Sequence, residues 1–255
     1  MRALALGLIA SVLYLGVLNL GAQTDSRKSS YFNMSRENQR MQDDLSLNPA
    51  SFWIIEGQGL WQNGGLSGSR TCSDCHGDVA KSMHGVAATF PKHRGGSLRT
   101  LQGQINHCRV SYQGLQAFDY ESKPLLALLS LVASQSRGMP INVSDDAQVS
   151  SHIERGKRLY NTRIGQLNLS CAQCHDDRAG QRLGGVLIPQ GHPTGYPIYR
   201  IEWQTIGSLQ RRLRNCMAGV RAERHAFGSE ALNDLETYLM HRANGMLLES
   251  PGVRP

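Results

Sequence analysis

Beyond its first 22 residues, the 255-residue chain has no apolar run near the ~20 residues needed to cross a bilayer. That lack excludes a polytopic membrane protein. Its basic residues are not interleaved with aromatics, which argues against a nucleic-acid-binding surface. Acidic residues are in deficit, 20 against 27 Lys and Arg, leaving a net charge of +7. A basic balance suits acidic partners and anionic substrates. Cysteines number only six, and their placement is wrong for structural zinc. Two close pairs stand 95 residues apart, and neither has a second pair beside it to complete a tetrahedral site.

The one long apolar run is N-terminal. Arg2 gives a short positive start, Ala3 to Leu20 form an apolar core, and Gly21 and Ala22 precede the polar TDSRKSS. This pattern predicts a secretory signal over residues 1–23, cleaved between Ala22 and Thr24. The mature chain is then exported and spans no membrane. An uncleaved membrane anchor is the alternative.

In an exported chain, six cysteines ordinarily mean three disulfides. The spacing argues otherwise. Cys72 and Cys75 lie in TCSDCHG, Cys171 and Cys174 in SCAQCHD, and His76 and His175 follow at once. C-x-x-C-H is the attachment signature of c-type haem: two thiols bond the two vinyl groups, and the adjacent imidazole reaches the iron. A thioredoxin-like redox pair would want a strand before the motif and a helix after it. Two C-x-x-C-H motifs in one exported chain predict two covalently bound haem c groups.

The surroundings of the motifs repeat as well. Gly57 precedes Cys72 by 15 residues, and Gly156 precedes Cys171 by the same 15. Leu60 and Trp61 match Leu159 and Tyr160 at an offset of 99. Downstream, Leu101, Ile105 and Cys108 match Leu209, Leu213 and Cys216, each trio on one face of a helix. The segments PLLALLSLVASQSRGM and NDLETYLMHRANGM then read as amphipathic helices stopped by Gly138 and Gly245. The expected fold is therefore all-α: two tandem cytochrome c-like haem domains from an internal duplication. Expected boundaries are an N-terminal extension over 24–50, a first domain over 51–140, a polar linker over 141–150 and a second domain over 151–255.

Cys108 and Cys216 remain unpaired in sequence. A disulfide between them is one reading. The duplication favours another, because each follows its haem motif at the distance where a cytochrome c domain supplies its distal iron ligand. Thiolate in that position stabilises ferric iron and lowers the reduction potential. Met83, His84, His93 and His107, and His192, Met217 and His225, have no counterparts across the repeat and read as bystanders. Cys216 has four arginines close in sequence: Arg211, Arg212, Arg214 and Arg221. Arg212 stands one helical turn before it, favours the thiolate and offers a docking point for a small dianion. The other arginines read mostly as a solvated face.

The chain resembles the SoxA family, cytochrome subunits of the SoxAX complex of sulfur-oxidising bacteria. The resemblance rests on RMQDDLSLNPASFWIIEGQGLW, both C-x-x-C-H motifs, NHCR at Cys108 and, most specifically, RRLRNCMAGVRAE. It implies an L-cysteine S-thiosulfotransferase that couples thiosulfate oxidatively to a cysteine of the SoxYZ carrier. The electrons leave through haem. By residue, it implies Cys216 as active-site cysteine and distal ligand of the second haem, in some cases a persulfide. It further implies Arg212 as the substrate-binding arginine and Cys108 as the distal ligand of the first haem. A SoxX-type cytochrome partner and a periplasmic location follow from the same resemblance. Two other readings use similar residues: a thiosulfate dehydrogenase forming tetrathionate, and a plain dihaem electron carrier.

Overall fold

The computed structural model describes residues 25–64 and 69–255, so the expected signal peptide lies outside the described residues. The first half holds α1 (Arg36–Asp43), α2 (Ser51–Asn63), α3 (Cys72–His76), α4 (Val79–Ser82), α5 (Leu101–Gln113) and α6 (Lys123–Ser134). A short hairpin, β1 (Lys92–Arg94) and β2 (Ser97–Arg99), precedes α5. The second half repeats the helical plan with α7 (Ala147–Asn161), α8 (Cys171–His175), α9 (Leu209–Gly219) and α10 (Glu230–Arg242).

The expectation of an all-α fold needs correction. Helices carry both cores, but the second half adds a hairpin, β3 (Arg182–Leu183) and β4 (Val186–Leu187), and a three-stranded sheet. In that sheet β5 (Ile198–Arg200) is central. It pairs antiparallel with β6 (Thr205–Gly207) and parallel with the C-terminal β7 (Gly252–Arg254). Strands of two or three residues are too short to show alternation, so their sequences carry no strand signal.

Each half is organised by one close helix crossing. Gly57 on α2 meets the backbone of Ala127 on α6, and Gly156 on α7 meets that of Asp234 on α10. A Cβ at Gly57 would lie 2.4 Å from the Ala127 carbonyl oxygen, and one at Gly156 only 2.1 Å from that of Asp234. The matched aromatics one turn further on are buried: Trp61 is 4% exposed and Tyr160 1%. Trp61 Nε1 donates to the Gly77 carbonyl at 3.0 Å, and Tyr160 Oη donates to Asp176 at 3.0 Å. Each aromatic thus ties its crossing to the end of the C-x-x-C-H turn.

The halves share a core. One apolar cluster joins Ala87 and Ala133 to Val149, Ile153, Met240 and Leu248, and another joins Ala50, Leu126 and Leu129 to Ile206. The segment 141–150, expected as a polar linker, begins with buried Ile141 and Val143, and from Ala147 onward it is already α7. Gly138 and Gly245 do not stop the helices directly, since α6 ends at Ser134 and α10 at Arg242. Instead the two glycines, with φ of 78° and 86°, turn the repeated tails toward each other. Gly138 N donates to Leu248 O, and Gly245 N donates to Ile141 O, at 2.7 and 2.8 Å.

The N-terminal extension fastens to the opposite end of the chain. Val253 N donates to Gln42 Oε1 at 3.0 Å, Asn48 Nδ2 to Pro251 O at 3.2 Å and Arg254 Nε to Ser30 Oγ at 2.7 Å. These bonds hold β7 against β5 and so steady the strand that leads to Arg200.

Candidate functional site

The two haem motifs fold as single turns with the same cap. Thr71 and Ser170 accept hydrogen bonds from Asp74 N and Gln173 N, and the Asp74 and Gln173 side chains reach back to the cap nitrogens. The reciprocal box fixes a five-residue helix that could not hold alone. Its effect is to set two thiols and the following imidazole along one short element. None of the six cysteines pairs with another, so the disulfide reading of Cys108 and Cys216 fails.

Around the second motif, three elements converge. Cys171 packs into the apolar cluster of Tyr160, Leu213 and Met217. Pro189 O accepts a hydrogen bond from His175 Nδ1 at 2.8 Å, which places the proton there and leaves Nε2 free. On the far side α9 brings Cys216 within hydrogen-bonding reach of His175. Burial alone would push the Cys216 thiol up. The His175 hydrogen bond and the charges of Arg212, His175 and Arg200 outweigh it, and the thiol lies below its usual value. Burial instead pushes Cys171 up to about 11, with a smaller push from Cys216. Cys216 thus faces the imidazole with its thiol more acidic than usual.

Arg212 takes its place on the site from the helix period, one turn before Cys216. Ser208 caps α9 by accepting from Arg211 N at 3.2 Å, which fixes where the turn begins. Burial pulls the Arg212 guanidinium down, and Cys216, Tyr196 and Glu202 more than restore it. No carboxylate forms an ion pair with Arg212 among the described residues. Burial also pushes the Tyr196 phenol up to about 12, so it stands by the thiolate as a neutral group.

The first motif is more open. His76 is exposed, with its ring centroid 5.7 Å from that of Trp61. Cys72 packs beside Trp61, Ile105 and Leu128, and burial pushes its thiol up. Cys108 lies on α5 near enough to Cys72 for their charges to interact. Gln104 Nε2 donates to Cys108 Sγ at 3.2 Å, and Gln113 Nε2 donates to Cys72 Sγ at 3.7 Å. No hydrogen bond joins His76 to Cys108 among the described residues. Arg109 turns aside, its guanidinium 3.5 Å from the Phe118 ring centroid and bonded to Gln116 O.

Both constellations fit covalent haem c: paired soft thiols on one turn, an imidazole at its end, and a further thiol across the cleft. The fixed tautomer of His175 is the arrangement that an iron-ligating imidazole requires. Several of the residues read as bystanders have other surroundings. Met217 is core, Met83 packs beside Cys72, and His107 meets Tyr112 and Ser111. His192 is buried near Arg242 and Arg27, and burial pushes it down to about 4. Among the flanking arginines, Arg211 stacks 4.3 Å from the Trp203 ring centroid and Arg214 4.4 Å from that of Phe227. Sequence reasoning missed Arg200, Glu202 and Pro189, because nothing in their spacing links them to α9 or α8.

A family model described as SoxA/TsdA, cytochrome c domain, matches residues 56–141 and again 155–248. The L-cysteine S-thiosulfotransferase subunit SoxA of Rhodovulum sulfidophilum is 33% identical, over 92% of this chain and 83% of that protein. The subunit of the same description from Paracoccus pantotrophus is 34% identical, over 83% of this chain and 73% of that one. A solved chain from the crystal structure of SoxXA from P. pantotrophus superposes with a TM-score of 0.87 at 32% identity, covering 90% of this chain and 87% of the other. With both copies matched by one cytochrome c model and relatives aligned along most of its length, the chain belongs to the SoxA family of c-type cytochromes.

Proposed function

We propose that the chain is the SoxA-type subunit of an L-cysteine S-thiosulfotransferase, joining thiosulfate oxidatively to a cysteine of a SoxYZ-type carrier. In this reading Cys72, Cys75, Cys171 and Cys174 anchor two haem c groups. His76 and His175 are the proximal ligands, and Cys108 and Cys216 the distal ones. A SoxX-type cytochrome is the partner subunit, and the complex works in the periplasm. The observation that carries the reading is the placement of Cys216, which α9 sets facing the imidazole of His175 with Arg212 one turn before it on the same helix face.

Haem c, when bound, supplies a one-electron acceptor beside the sulfur. The chain's own residues do the rest. Arg212 binds the thiosulfate dianion and aims its outer sulfur at Cys216 Sγ. An S–S bond forms between Cys216 Sγ and that sulfur, giving the adduct Cys216–S–S–SO3⁻ and releasing two electrons, which two haem c groups would take one each. The carrier thiolate then attacks the outer sulfur of the adduct. The bond to Cys216 breaks, Cys216 leaves as thiolate, and the carrier keeps –S–SO3⁻ on its own sulfur. Arg212 favours that leaving thiolate as it favours the attacking one.

The test is haem reduction by thiosulfate with the carrier present. Cys216→Ala should abolish it, with both haems still attached through their thioethers. Arg212→Ala removes a charge-assisted contact worth about 1.5–3 kcal/mol, so substrate use should fall by one to two orders of magnitude. Arg212→Lys should recover only part, since an ammonium lacks the planar fork. Arg224→Ala, on an exposed turn, should change little. Wild-type rates from Cys216→Ala would refute the assignment. Tetrathionate formed without carrier would point to a thiosulfate dehydrogenase instead.

A further inference from the structure

The surroundings of Arg212 contain a second arginine from a different element. Arg200 ends β5, pairs in register with Thr205 of β6, and is carried by that hairpin back onto the start of α9. Trp203 lies in the turn between the strands. The Arg200 guanidinium is 5.3 Å from its ring centroid, and that of Arg211, the neighbour of Arg212, is 4.3 Å away. Gly207 makes the close approach possible, because a Cβ there would lie 2.6 Å from Trp203 and 2.8 Å from Arg211.

The Arg200 side chain is only 13% exposed. Its Nε stands 3.0 Å from Glu202 Oε1, yet it is buried without a directed hydrogen bond. Among the described residues, the Arg200 guanidinium has the half-exposed Glu202 as its ion-pair partner, and no hydrogen bond or ion pair engages that of Arg212. Two five-donor forks thus lie close enough for their charges to act on each other, with one displaceable carboxylate on Arg200 and none on Arg212. Their charges act on each other and on Cys216, and burial followed by the nearness of Arg212 pulls Arg200 down. Adjacent buried cations repel, and a fold keeps them together when an anion belongs between them.

Resting on the reading that thiosulfate reacts at Cys216, we propose that Arg200 is a second substrate-binding residue. With Arg212 it forms a two-arginine cradle for the sulfonate end of thiosulfate, and Glu202 is the internal counter-ion that the sulfonate displaces. The charge count supports the geometry. Before reaction, two arginines face the Cys216 thiolate and Glu202. In the adduct Cys216–S–S–SO3⁻, the Cys216 sulfur has lost its charge and the sulfonate carries one negative charge. The negative charge has moved outward from the sulfur, and Arg200 is the cation that meets it there. A single arginine on α9 would have to serve both positions. Glu202, half-exposed at the mouth, can swing into water when the sulfonate arrives.

The experiment is calorimetric titration of the intact holoprotein complex with thiosulfate, the haems reduced beforehand and the carrier omitted so that neither adduct formation nor turnover occurs, followed by steady-state rates with carrier. Arg200→Ala should weaken binding about tenfold, the scale of one charge-assisted contact, and raise KM while kcat stays within about twofold. Arg200→Lys should recover part of this. Glu202→Gln should act oppositely and tighten binding about threefold, as expected for removing a partly exposed competitor. Arg211→Ala disturbs the same Trp203 face without touching the cradle and should leave binding unchanged. Haem absorption spectra of every variant check that the fold survives. Wild-type affinity in Arg200→Ala would overturn the inference, as would weaker binding in Glu202→Gln. Arg212→Ala belongs in the same series. Loss there with none at Arg200 sinks only the cradle, whereas no loss at either arginine sinks the reading that this pocket takes thiosulfate.

Discussion

Replacing Gly156 by alanine should unfasten the second half at its helix crossing. Alanine is the better helix former by about 1 kcal/mol in a helix interior, so on propensity alone the change would stabilise α7. The crossing with α10 decides otherwise. The new Cβ would sit 2.1 Å from the Asp234 carbonyl oxygen and 2.7 Å from Tyr238 Cβ, against ordinary contact beginning near 3.4 Å. A backbone carbonyl inside a helix cannot step aside, so the two helices must part by roughly 1 Å along their contact. Overpacking of this kind costs about 1–3 kcal/mol and sometimes more, and an unyielding neighbour puts Gly156 at the upper end. The net expectation is a loss of about 2 kcal/mol. Gly57→Ala meets Ala127 O at 2.4 Å and Leu131 Cβ at 2.9 Å, a slightly looser fit, and should lose somewhat less. Gly59→Ala lies on α2 with nothing within 4 Å, and should gain about 0.5–1 kcal/mol.

The assay is denaturant unfolding of the holoprotein, followed by far-UV circular dichroism and by haem absorption. The crossing also positions the second site. α7 carries Tyr160 and α10 carries Arg242, and both bond Asp176, the residue after His175. Gly156→Ala should therefore alter the absorption of the second haem before unfolding begins, while Gly57→Ala should affect the first. A Gly156→Ala protein as stable as wild type would refute the close-crossing argument. So would equal effects of Gly57→Ala and Gly59→Ala.

Two other perturbations probe different parts of the molecule. Cys108→Ala should change the spectrum of the first haem and raise its potential, because a neutral ligand replaces thiolate, and activity should fall less than in Cys216→Ala. An unchanged spectrum would remove Cys108 as ligand. Glu236 lines a cavity of about 50 Å3 between the halves; burial, with repulsion from Glu121, pushes its carboxyl up to about 7 against the opposing bond from Gln210. A raised carboxyl favours the protonated fold, so its contribution is intact below about pH 4.5 and fades as pH rises through 7, by at most about 3 kcal/mol. Unfolding midpoints should thus show Glu236→Gln gaining on wild type between pH 5 and 8, and a constant gap across that range would refute the assignment.

Much of this was legible because it is local. The haem turns announce themselves by C-x-x-C-H and by Thr71 with Asp74 or Ser170 with Gln173, three residues apart at the helix start. Helix faces carrying Cys108 and Cys216 follow from spacings of three and four. Gly57 and Gly156 were visible as matched positions, although only the crossing explains why they lack a side chain. Other features have no local signature. The sheet joins Ile198 to Gly252 across more than fifty intervening residues, through strands of three residues each. The N-terminal arm reaches the C-terminal strand through single side chains such as Gln42 and Asn48. Gly138 and Gly245 look like helix stops in sequence. In three dimensions each pairs with the other copy's tail, a role that depends on how the duplicated halves face each other.

The divergence of the two sites can be followed to one helix position. Gln104 stands one turn before Cys108, and Arg212 stands one turn before Cys216, so the duplication places them in equivalent posts. The amide of Gln104 gives Cys108 a neutral donor at 3.2 Å, which steadies a ligand sulfur without summoning an anion. Of the nearby arginines, Arg109 is turned onto Phe118 and Arg99 donates to the Gln104 amide oxygen rather than to the sulfur. In the second half the same post holds a guanidinium, and the second-half sheet adds Arg200 beside it. Among the described residues the first copy has no counterpart of that sheet: the strands between its haem turn and α5 are those of the β1–β2 hairpin alone. On the proposed function, substrate binding in the second copy rests on two features that the first copy lacks among the described residues, a charge one turn before the cysteine and a strand that brings another. The first copy then keeps an arrangement suited to passing electrons alone.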